Sequence, residues 1–272
     1  MTARIAMAQL LVEGGEPERN LERAQKLIEK AATQNAEIVL LPETMDLAWT
    51  HPSAFQEAEH IPGKRSNFFS ALAKKHNIFI CVGLTESENT YRYNTAILIN
   101  NEGNIIHKHR KINLLEVEFP YYDPGNSLSV IDTKFGKIGI NICADNYIDS
   151  LHLARSLAHL NAQIILSPSS WTVEHSVTEA MNPYQDKWIK PLTIIAKQYE
   201  IPFISTTSVG YIVGGPYEGK KMIGCSLAVD KQGNYIQGEF NEFASDLKII
   251  DIELGDNKYK GVQYGKRIST FT

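Results

Sequence analysis

Short apolar runs alternate along the chain with longer amphipathic segments. The first run covers residues 4–12 and predicts a strand. Pro17 then begins a segment that reaches about Gln34 and carries apolar residues at helical spacing, which predicts an amphipathic helix with proline in its first turn. A second short apolar run, from Glu37 to Leu41, predicts the strand that completes a β-α-β unit.

The same alternation continues to the end of the chain and predicts an α/β protein. No linker rich in Pro, Ser or Gly interrupts it, so we expect a single domain over residues 1–272, with a tail from about residue 254. Further strands are predicted at 78–84, 91–99, 104–108, 127–132, 136–142, 163–166, 203–208, 222–229, 234–238 and 246–253, and helices at 65–75, 149–160 and 185–199.

One part of this pattern occurs twice. Residues 35–42 read NAEIVLLP and residues 161–168 read NAQIILSP, and each copy follows a predicted strand and helix. One interpretation is two related β-α-β halves, which would pack as two sheets face to face with helices outside. The other is that the turns between helix and strand simply reuse similar residues.

Composition and charge narrow the class of protein. The chain has 272 residues, 43% of them hydrophobic, and its 27 basic and 31 acidic side chains leave a net charge of −4. This mild acidity argues against a nucleic-acid partner or an anionic membrane. No apolar run approaches the ~18–20 residues that span a bilayer. The first residues predict a strand rather than a signal peptide, so we expect a cytoplasmic protein.

Three cysteines are too few and too far apart for a disulfide framework or a metal clip. Cys81 and Cys225 lie inside apolar runs and are expected to be small buried residues of strands. Cys143 differs, because it follows the apolar run 138–142 directly. It is therefore the cysteine expected at a strand end.

Two further polar residues also follow predicted strands, namely Glu43 and Lys111. Functional residues of parallel α/β sheets gather at the carboxyl ends of strands. A thiol, a carboxylate and an ammonium group suit acyl transfer, because they supply a nucleophile, a proton acceptor and a cation for the oxyanion. Taken singly, each residue has a plain structural interpretation: a surface carboxylate, a solvated basic cluster and a buried cysteine.

The segments around these residues point to one family. LPE at 41–43, RKINL at 110–114 and NICAD at 141–145 resemble, in order and spacing, the nitrilase superfamily of carbon–nitrogen hydrolases. EFPYYDPG at 118–125 also resembles that family's segment in which a glutamate precedes an aromatic Pro-Gly turn. The resemblance extends over essentially the whole chain.

The resemblance implies a four-layer αββα sandwich of two mixed sheets and a Glu-Lys-Cys triad. In it Cys143 is the nucleophile, Glu43 the general base and Lys111 the stabiliser of the oxyanion. Glu118 would hold Lys111 and help to orient the attacking water, and the backbone N–H of Ala144 would share the oxyanion. A thiol beside a lysine and a carboxylate is expected to react as a thiolate near neutral pH.

The residues after the nucleophile depart from the family pattern. ADNYID follows at 144–149, without the large aromatic residue or the arginine that many family members carry. The acidic side chains here predict an amide whose remote end is neutral or cationic. The resemblance places further residues of the substrate pocket at Trp49, Tyr147, Trp171 and Glu174.

Several functions therefore compete. We expect an amidase that hydrolyses a small linear amide through a thioester, and we keep as alternatives a nitrilase, an acyl transferase and a non-catalytic binding protein. Neither a GxGxxG nor a GxSxG motif occurs, and His107 and His109 lack a third ligand, so we expect no cofactor and no metal. The resemblance also implies a homodimer or higher oligomer, with contacts from the tail after residue 254.

Overall fold

Two β-sheets lie face to face at the centre of the computed structural model, which describes residues 1–181, 183–237 and 245–256. Its strands are β1 (Thr2–Gln9), β2 (Ile38–Leu40), β3 (Phe79–Glu88), β4 (Tyr91–Ile99), β5 (Ile105–Arg110), β6 (Val130–Thr133), β7 (Gly136–Ile140), β8 (Ile164–Ser169), β9 (Thr172–Val173), β10 (Phe203–Thr207), β11 (Val209–Tyr211), β12 (Lys221–Ile223), β13 (Leu227–Val229), β14 (Tyr235–Gln237) and β15 (Asp246–Glu253). The α-helices are α1 (Pro17–Thr33), α2 (Ala54–Glu57), α3 (Lys64–His76), α4 (Leu151–His159) and α5 (Lys190–Tyr199).

The layers follow from the burial of apolar faces. The first sheet has the order β15-β1-β2-β3-β4-β5 and the second β14-β13-β10-β8-β7-β6, and both mix parallel and antiparallel pairs. Helices α1 and α3 cover the outer face of the first sheet, and α4 and α5 cover the second. The inner faces share one apolar core. This arrangement confirms the predicted αββα sandwich.

The repeated NA segment has a physical basis. Asn35 and Asn161 both adopt left-handed backbone, with φ of 59° and 70°, where their helices end. Asparagine tolerates this conformation better than most residues. In each copy the next N–H closes the helix in the same way, from Ala36 to Ala31 O and from Ala162 to Leu157 O, both at 3.0 Å. The chain then enters β2 or β8, which pairs in parallel with β1 or β7.

The strand predicted over 222–229 is wrong, because the chain breaks in its middle. Gly224 and Cys225 have positive φ values of 77° and 63°, which end β12 and turn the chain into β13. After the break, Ser226 donates its backbone N–H and its hydroxyl to Gln9 Oε1, both at 3.1 Å. Cys225 is buried as expected, but it lies in this break and not inside a strand.

The helix predicted over 185–199 differs at its start. It begins with a π-helical turn, Gln185–Ile189, before α5 continues to Tyr199. Within the described ranges, no helix combines the length and the apolar character needed to cross a bilayer. The tail was predicted to begin at about residue 254, and its residues after Asp256 lie outside the described part of the chain.

Strand β3 passes unusually close to the chain that carries Glu43. Gly83 donates its N–H to Pro42 O at 3.0 Å. A Cβ atom at Gly83 would lie 2.6 Å from the Glu43 Cα and 2.8 Å from Pro42 O. These are backbone atoms, which cannot rotate away as a side chain can. The backbone of Glu43 can therefore lie this close to β3 only because Gly83 has no Cβ atom.

Replacing Gly83 with alanine tests this dependence. We expect Gly83→Ala to lower the free energy of unfolding by about 1–3 kcal/mol, as overpacking of a filled core does. Gly139→Ala on β7 is the matched control, because its Cβ would meet only side chains, at 3.2 and 3.3 Å. Urea unfolding measures both, and an equal or smaller loss for Gly83→Ala would contradict the tight approach.

Candidate active site

A buried lysine holds the predicted site together. Lys111 Nζ lies 2.8 Å from Glu43 Oε1, 2.8 Å from Glu118 Oε1 and 2.9 Å from Glu118 Oε2. All three side chains have no exposed surface. Lys111 directly follows β5, and its N–H donates to Asn94 O at 2.8 Å on the neighbouring strand. The sheet therefore brings together carboxylates that are 68 and 7 residues away from the lysine in sequence.

Glu43 and Cys143 reach this lysine from two different sheets. Glu43 follows β2 in the first sheet, and its N–H donates to Ser169 O at the end of β8, at 3.3 Å. Cys143 begins a 3₁₀ turn after β7 in the second sheet, with a φ of 42°. Such backbone costs about 1–3 kcal/mol in a non-glycine residue and is typical of functional sites. The Cys143 thiol donates weakly to Ser170 O at 3.8 Å.

Glu118 is fixed by more than the lysine. Trp49 Nε1 donates to Glu118 Oε1 at 2.8 Å, and the N–H of Leu115 donates to Glu118 Oε2 at 2.9 Å. Asn94 Nδ2 donates to Glu43 Oε1 at 2.5 Å and links the two carboxylates. Sequence reasoning missed Asn94. Its only signal was a polar residue inside the apolar run of β4.

Asp145 is one of the acidic residues that the sequence placed near the substrate, but its carboxylate faces backbone N–H groups and His109 instead. It is buried, and its Oδ1 accepts the N–H groups of Ile112 and Asn113 at 3.2 and 2.8 Å. Its Oδ2 accepts the N–H of Ile142 at 3.0 Å and lies 2.9 Å from His109 Nε2. Asp145 thus ties the turn of Cys143 to the chain that follows Lys111.

Ala144 lies in the same turn. Its carbonyl accepts from Asn113 Nδ2 at 2.7 Å and from Ser150 Oγ at 2.6 Å. The first hydrogen bond of the turn runs from Asp145 N to Ile142 O, so the N–H of Ala144 comes before the turn's own bonding begins. Its predicted contact with an oxyanion fits this position and stays a prediction.

An open cavity of about 410 Å³ is lined by Cys143; we call it the wide cavity. Its wall includes Trp49, Tyr147 and Glu174, three of the four residues predicted to touch substrate. Trp171, the fourth, is not part of the wall. Its ring is buried in the core and stacks on Trp188, with centroids 4.4 Å apart and planes 12° apart.

The charge on this wall differs from the sequence expectation. Lys187 and Lys220 line the wide cavity, and Lys220 Nζ pairs with Glu174 at 2.6 Å. Among the described residues, no acidic group lies within 4.0 Å of Lys187. The predicted preference for a neutral or cationic substrate end loses part of its basis, because Asp145 faces backbone and a lysine lines the cavity, and it stays a prediction.

The two histidines of β5 lie in different surroundings. His109 faces Asp145, as described above, whereas His107 Nε2 is buried with no hydrogen-bond partner among the described residues. No group of three His, Cys, Asp or Glu side chains in the described ranges is arranged to hold a metal ion.

Comparison with known proteins decides the family. Residues 4–258 match the sequence profile of the carbon–nitrogen hydrolases. The chain belongs to the carbon–nitrogen hydrolase family. This confirms the resemblance expected from the four sequence segments.

Individual relatives of this carbon–nitrogen hydrolase share about a third of its residues or fewer in the aligned regions. It is 29% identical over 225 residues to a nitrilase of Pyrococcus abyssi, covering 81% of this chain and 80% of that protein. It is 32% identical over 180 residues to an ω-amidase of Xenopus laevis, covering 62% of this chain. That match spans 64% of the ω-amidase, less than two thirds of its length.

Solved structures share the fold. A carbon–nitrogen hydrolase from Helicobacter pylori superposes with a TM-score of 0.83 at 22% identity, covering 93% of this chain and 90% of that one. A glutamate variant of an amidase from Nesterenkonia, with the acetamide moiety of fluoroacetamide added covalently to its active-site cysteine, gives a TM-score of 0.79 at 19% identity. Coverage in that case is 99% of this chain and 97% of the other.

The electrostatics of the hydrolase site correct one expectation. Burial, followed by the charge of Glu43, raises the pKa of the Cys143 thiol well above 9.0, although Lys111 opposes this. The free enzyme therefore holds a neutral thiol and not the predicted thiolate. The physical reason is first that the buried site does not solvate a thiolate, and second that the negative charge of Glu43 lies beside the sulfur.

The pKa values of Glu43 and Lys111 are also raised. Burial raises the pKa of Glu43 above 4.5, against the pull of Lys111. Burial alone would lower the pKa of Lys111, but the charges of Glu118 and Glu43 outweigh it and hold that pKa well above 10.5. A carboxylate with a raised pKa is a stronger base, so Glu43 is suited to take the thiol proton.

The pH dependence of the reaction follows from these directions. If Glu43 must be ionised, kcat/KM falls as pH is lowered through a midpoint above 4.5. Because the pKa values of Cys143 and Lys111 lie above 9.0 and 10.5, we expect no fall in kcat/KM below pH 9.0. The measurement uses a substrate without ionisable groups, with circular dichroism to exclude unfolding. An acid midpoint of kcat/KM below pH 4.5, or a fall in kcat/KM between pH 7 and pH 9.0, would contradict this prediction.

Proposed function

We propose that this carbon–nitrogen hydrolase is an amidase that hydrolyses a small linear amide through a thioester on Cys143. The observation that carries the proposal is the buried cluster of Lys111 between Glu43 and Glu118, behind a cysteine that lines the wide cavity. A nucleophile, a base and a cation within one buried cluster are what acyl transfer requires.

The first half-reaction forms the thioester. Cys143 Sγ attacks the amide carbon as its proton moves to Glu43, so a neutral thiol is the correct starting state. The carbonyl oxygen gains negative charge, which Lys111 and the N–H of Ala144 are placed to stabilise. The C–N bond then breaks as Glu43 returns the proton to the leaving nitrogen, and ammonia departs. Water later attacks the thioester, and the acid and the free thiol are released.

Glu118 keeps the lysine in place for this chemistry. An ammonium group has three hydrogens. The two Glu118 oxygens, 2.8 and 2.9 Å from Lys111 Nζ, can share one of them, and Glu43 takes a second. The third hydrogen is then left for the oxyanion. Glu118 therefore acts through Lys111 and not on the substrate.

The relatives bear on the choice between amide and nitrile. An ω-amidase and an amidase structure favour the amide, whereas the nitrilase of Pyrococcus abyssi keeps nitrile hydrolysis as a second candidate. Lys187 on the wall of the wide cavity favours an amide with an anionic or polar remote end, because a lysine would meet such a group with opposite charge.

The remaining parts of the proposal concern the cell. We infer a cytoplasmic homodimer or higher oligomer that acts on a small-molecule amide, without a cofactor and without a nucleic-acid or membrane partner. The net charge of −4 supports the last point, since nucleic acids and anionic lipids attract basic surfaces. Light scattering after gel filtration measures the oligomeric state.

Turnover of paired substrates tests the reaction. We expect ammonia and acid from an amide, and a higher kcat/KM for the amide than for the nitrile of the same chain length. Cys143→Ala should abolish both, whereas Cys81→Ala in β3 should retain activity, since Cys81 has no exposed surface. A matched pair of amides ending in carboxylate and in amine measures the effect of Lys187. Faster nitrile turnover, or activity that survives Cys143→Ala, would contradict the proposal.

The lysine has its own test. Removing one oxyanion donor typically slows an enzyme by about 10²–10³-fold, so Lys111→Met should lower kcat by that order. Lys108→Met is the matched control on the same strand, because Lys108 pairs with Glu86 at 2.6 Å and lies outside the site. We expect its kcat to match the wild type. Similar losses in both variants would mean that Lys111 only supports the strand.

A further inference from the structure

A second, narrow cavity reaches Glu43 by a different path from the wide cavity. Its wall includes Glu43 but not Cys143, whereas the wide cavity is lined by Cys143 but not Glu43. Trp49 and Ser170 line both and so stand between them. The narrow cavity has a volume of about 10 Å³, which is room for about one water molecule.

The wall of the narrow cavity joins exposed and buried residues. Tyr211 and Val213 are 55% and 63% exposed, whereas Glu43 and Ser170 are 1% and 6% exposed. Val12, from the segment that follows β1, also lines it. The narrow cavity therefore lies between surface residues and a buried carboxylate.

The inner end offers polar groups to a water molecule. Glu43 Oε1 accepts hydrogen bonds from Lys111 and Asn94, but Glu43 Oε2 is buried and has no hydrogen-bond partner among the described residues. A buried acceptor left unpaired costs free energy. Ser170 and Ser208 line the same cavity. A water with these neighbours has the polar partners that ordered buried waters require.

We propose that the narrow cavity binds and supplies the water that hydrolyses the thioester, an inference that rests on the proposed amidase function. The acyl group on Cys143 extends into the wide cavity at this stage, and the water approaches from the side of Glu43. Its oxygen attacks the thioester carbon as one of its protons moves to Glu43. The C–S bond then breaks, the sulfur regains that proton, and the carboxylic acid leaves.

This arrangement decides between hydrolysis and acyl transfer. An amine larger than water does not fit the narrow cavity and reaches the thioester only through the wide cavity. Blocking the narrow cavity should therefore slow hydrolysis without slowing transfer to the amine. The thioester would persist longer, and a larger share of it would react with the amine.

The experiment measures this partition. Wild-type enzyme turns over a neutral amide in the presence of O-methylhydroxylamine, and mass spectrometry quantifies the transfer product and the acid. Val12→Phe places a ring in the narrow cavity, and Ser208→Val removes a hydroxyl from it. We expect the ratio of transfer product to acid to rise on the order of 10-fold in Val12→Phe. Ser208→Val gives a second reading if the larger substitution disturbs folding.

The control makes the same change in the other cavity. Val177 lines the wide cavity, so Val177→Phe should hinder substrate and amine and leave the ratio level or lower. An unchanged ratio in both narrow-cavity variants, with wild-type turnover intact, would overturn the inference and leave the amidase standing. An equal rise in Val177→Phe would overturn it as well. A wild-type enzyme that forms no acyl-Cys143 would overturn the amidase and the inference together.

Discussion

A lysine with no exposed surface sits between two equally buried carboxylates, and the rest of the site is arranged around it. An ammonium group is very costly to bury unless charged partners surround it. Lys111 therefore fixes Glu43 and Glu118 as firmly as they fix it. Removing any of the three would leave unbalanced charge in the protein interior. This mutual dependence explains why the ends of β2 and β5 and the turn that carries Glu118 must meet at one place.

The same charge balance sets the state of the nucleophile. Burial raises the pKa of the Cys143 thiol, and the excess negative charge of two carboxylates over one ammonium raises it further. A thiolate at rest would add to that excess. A proton transfer to Glu43 during attack moves the charge to the carbonyl oxygen instead, where Lys111 can meet it. In the proposed reaction the site stabilises charge that develops during attack and not charge that is present beforehand.

Local sequence patterns predicted most of the strands and helices. Polar residues directly after apolar strands marked Glu43 and Cys143 as candidates, because a strand end is visible in a short window, and the resemblance of four segments to one family supplied their expected roles. The strand break at Cys225 was not visible in the sequence. The hydrogen bonds beside it run from Ser226 to Gln9, which is 217 residues away. Asn94 was missed for the same reason, because its contact with Glu43 depends on strand pairing.

The walls of the cavities were the least predictable part. Trp171 follows a strand end as a pocket residue would, but packing against Trp188 draws its ring into the core. Lys187 reaches the wide cavity from a π-helical turn that helical periodicity does not distinguish from an α-helix. Pocket residues lie on turns and loops whose paths depend on contacts between both sheets. A single sequence gives little information about those contacts.

In the proposed reaction the Lys111 cluster activates Cys143 for attack on an amide. Peptide mapping by mass spectrometry, after acid quenching during steady turnover, is the most direct test of this activation. We expect the acyl mass of the substrate on the peptide that contains Cys143 in the wild type, and much less of it in Lys111→Met at equal times. Steady turnover with no acyl group on Cys143, or with the acyl group on another residue, would contradict it.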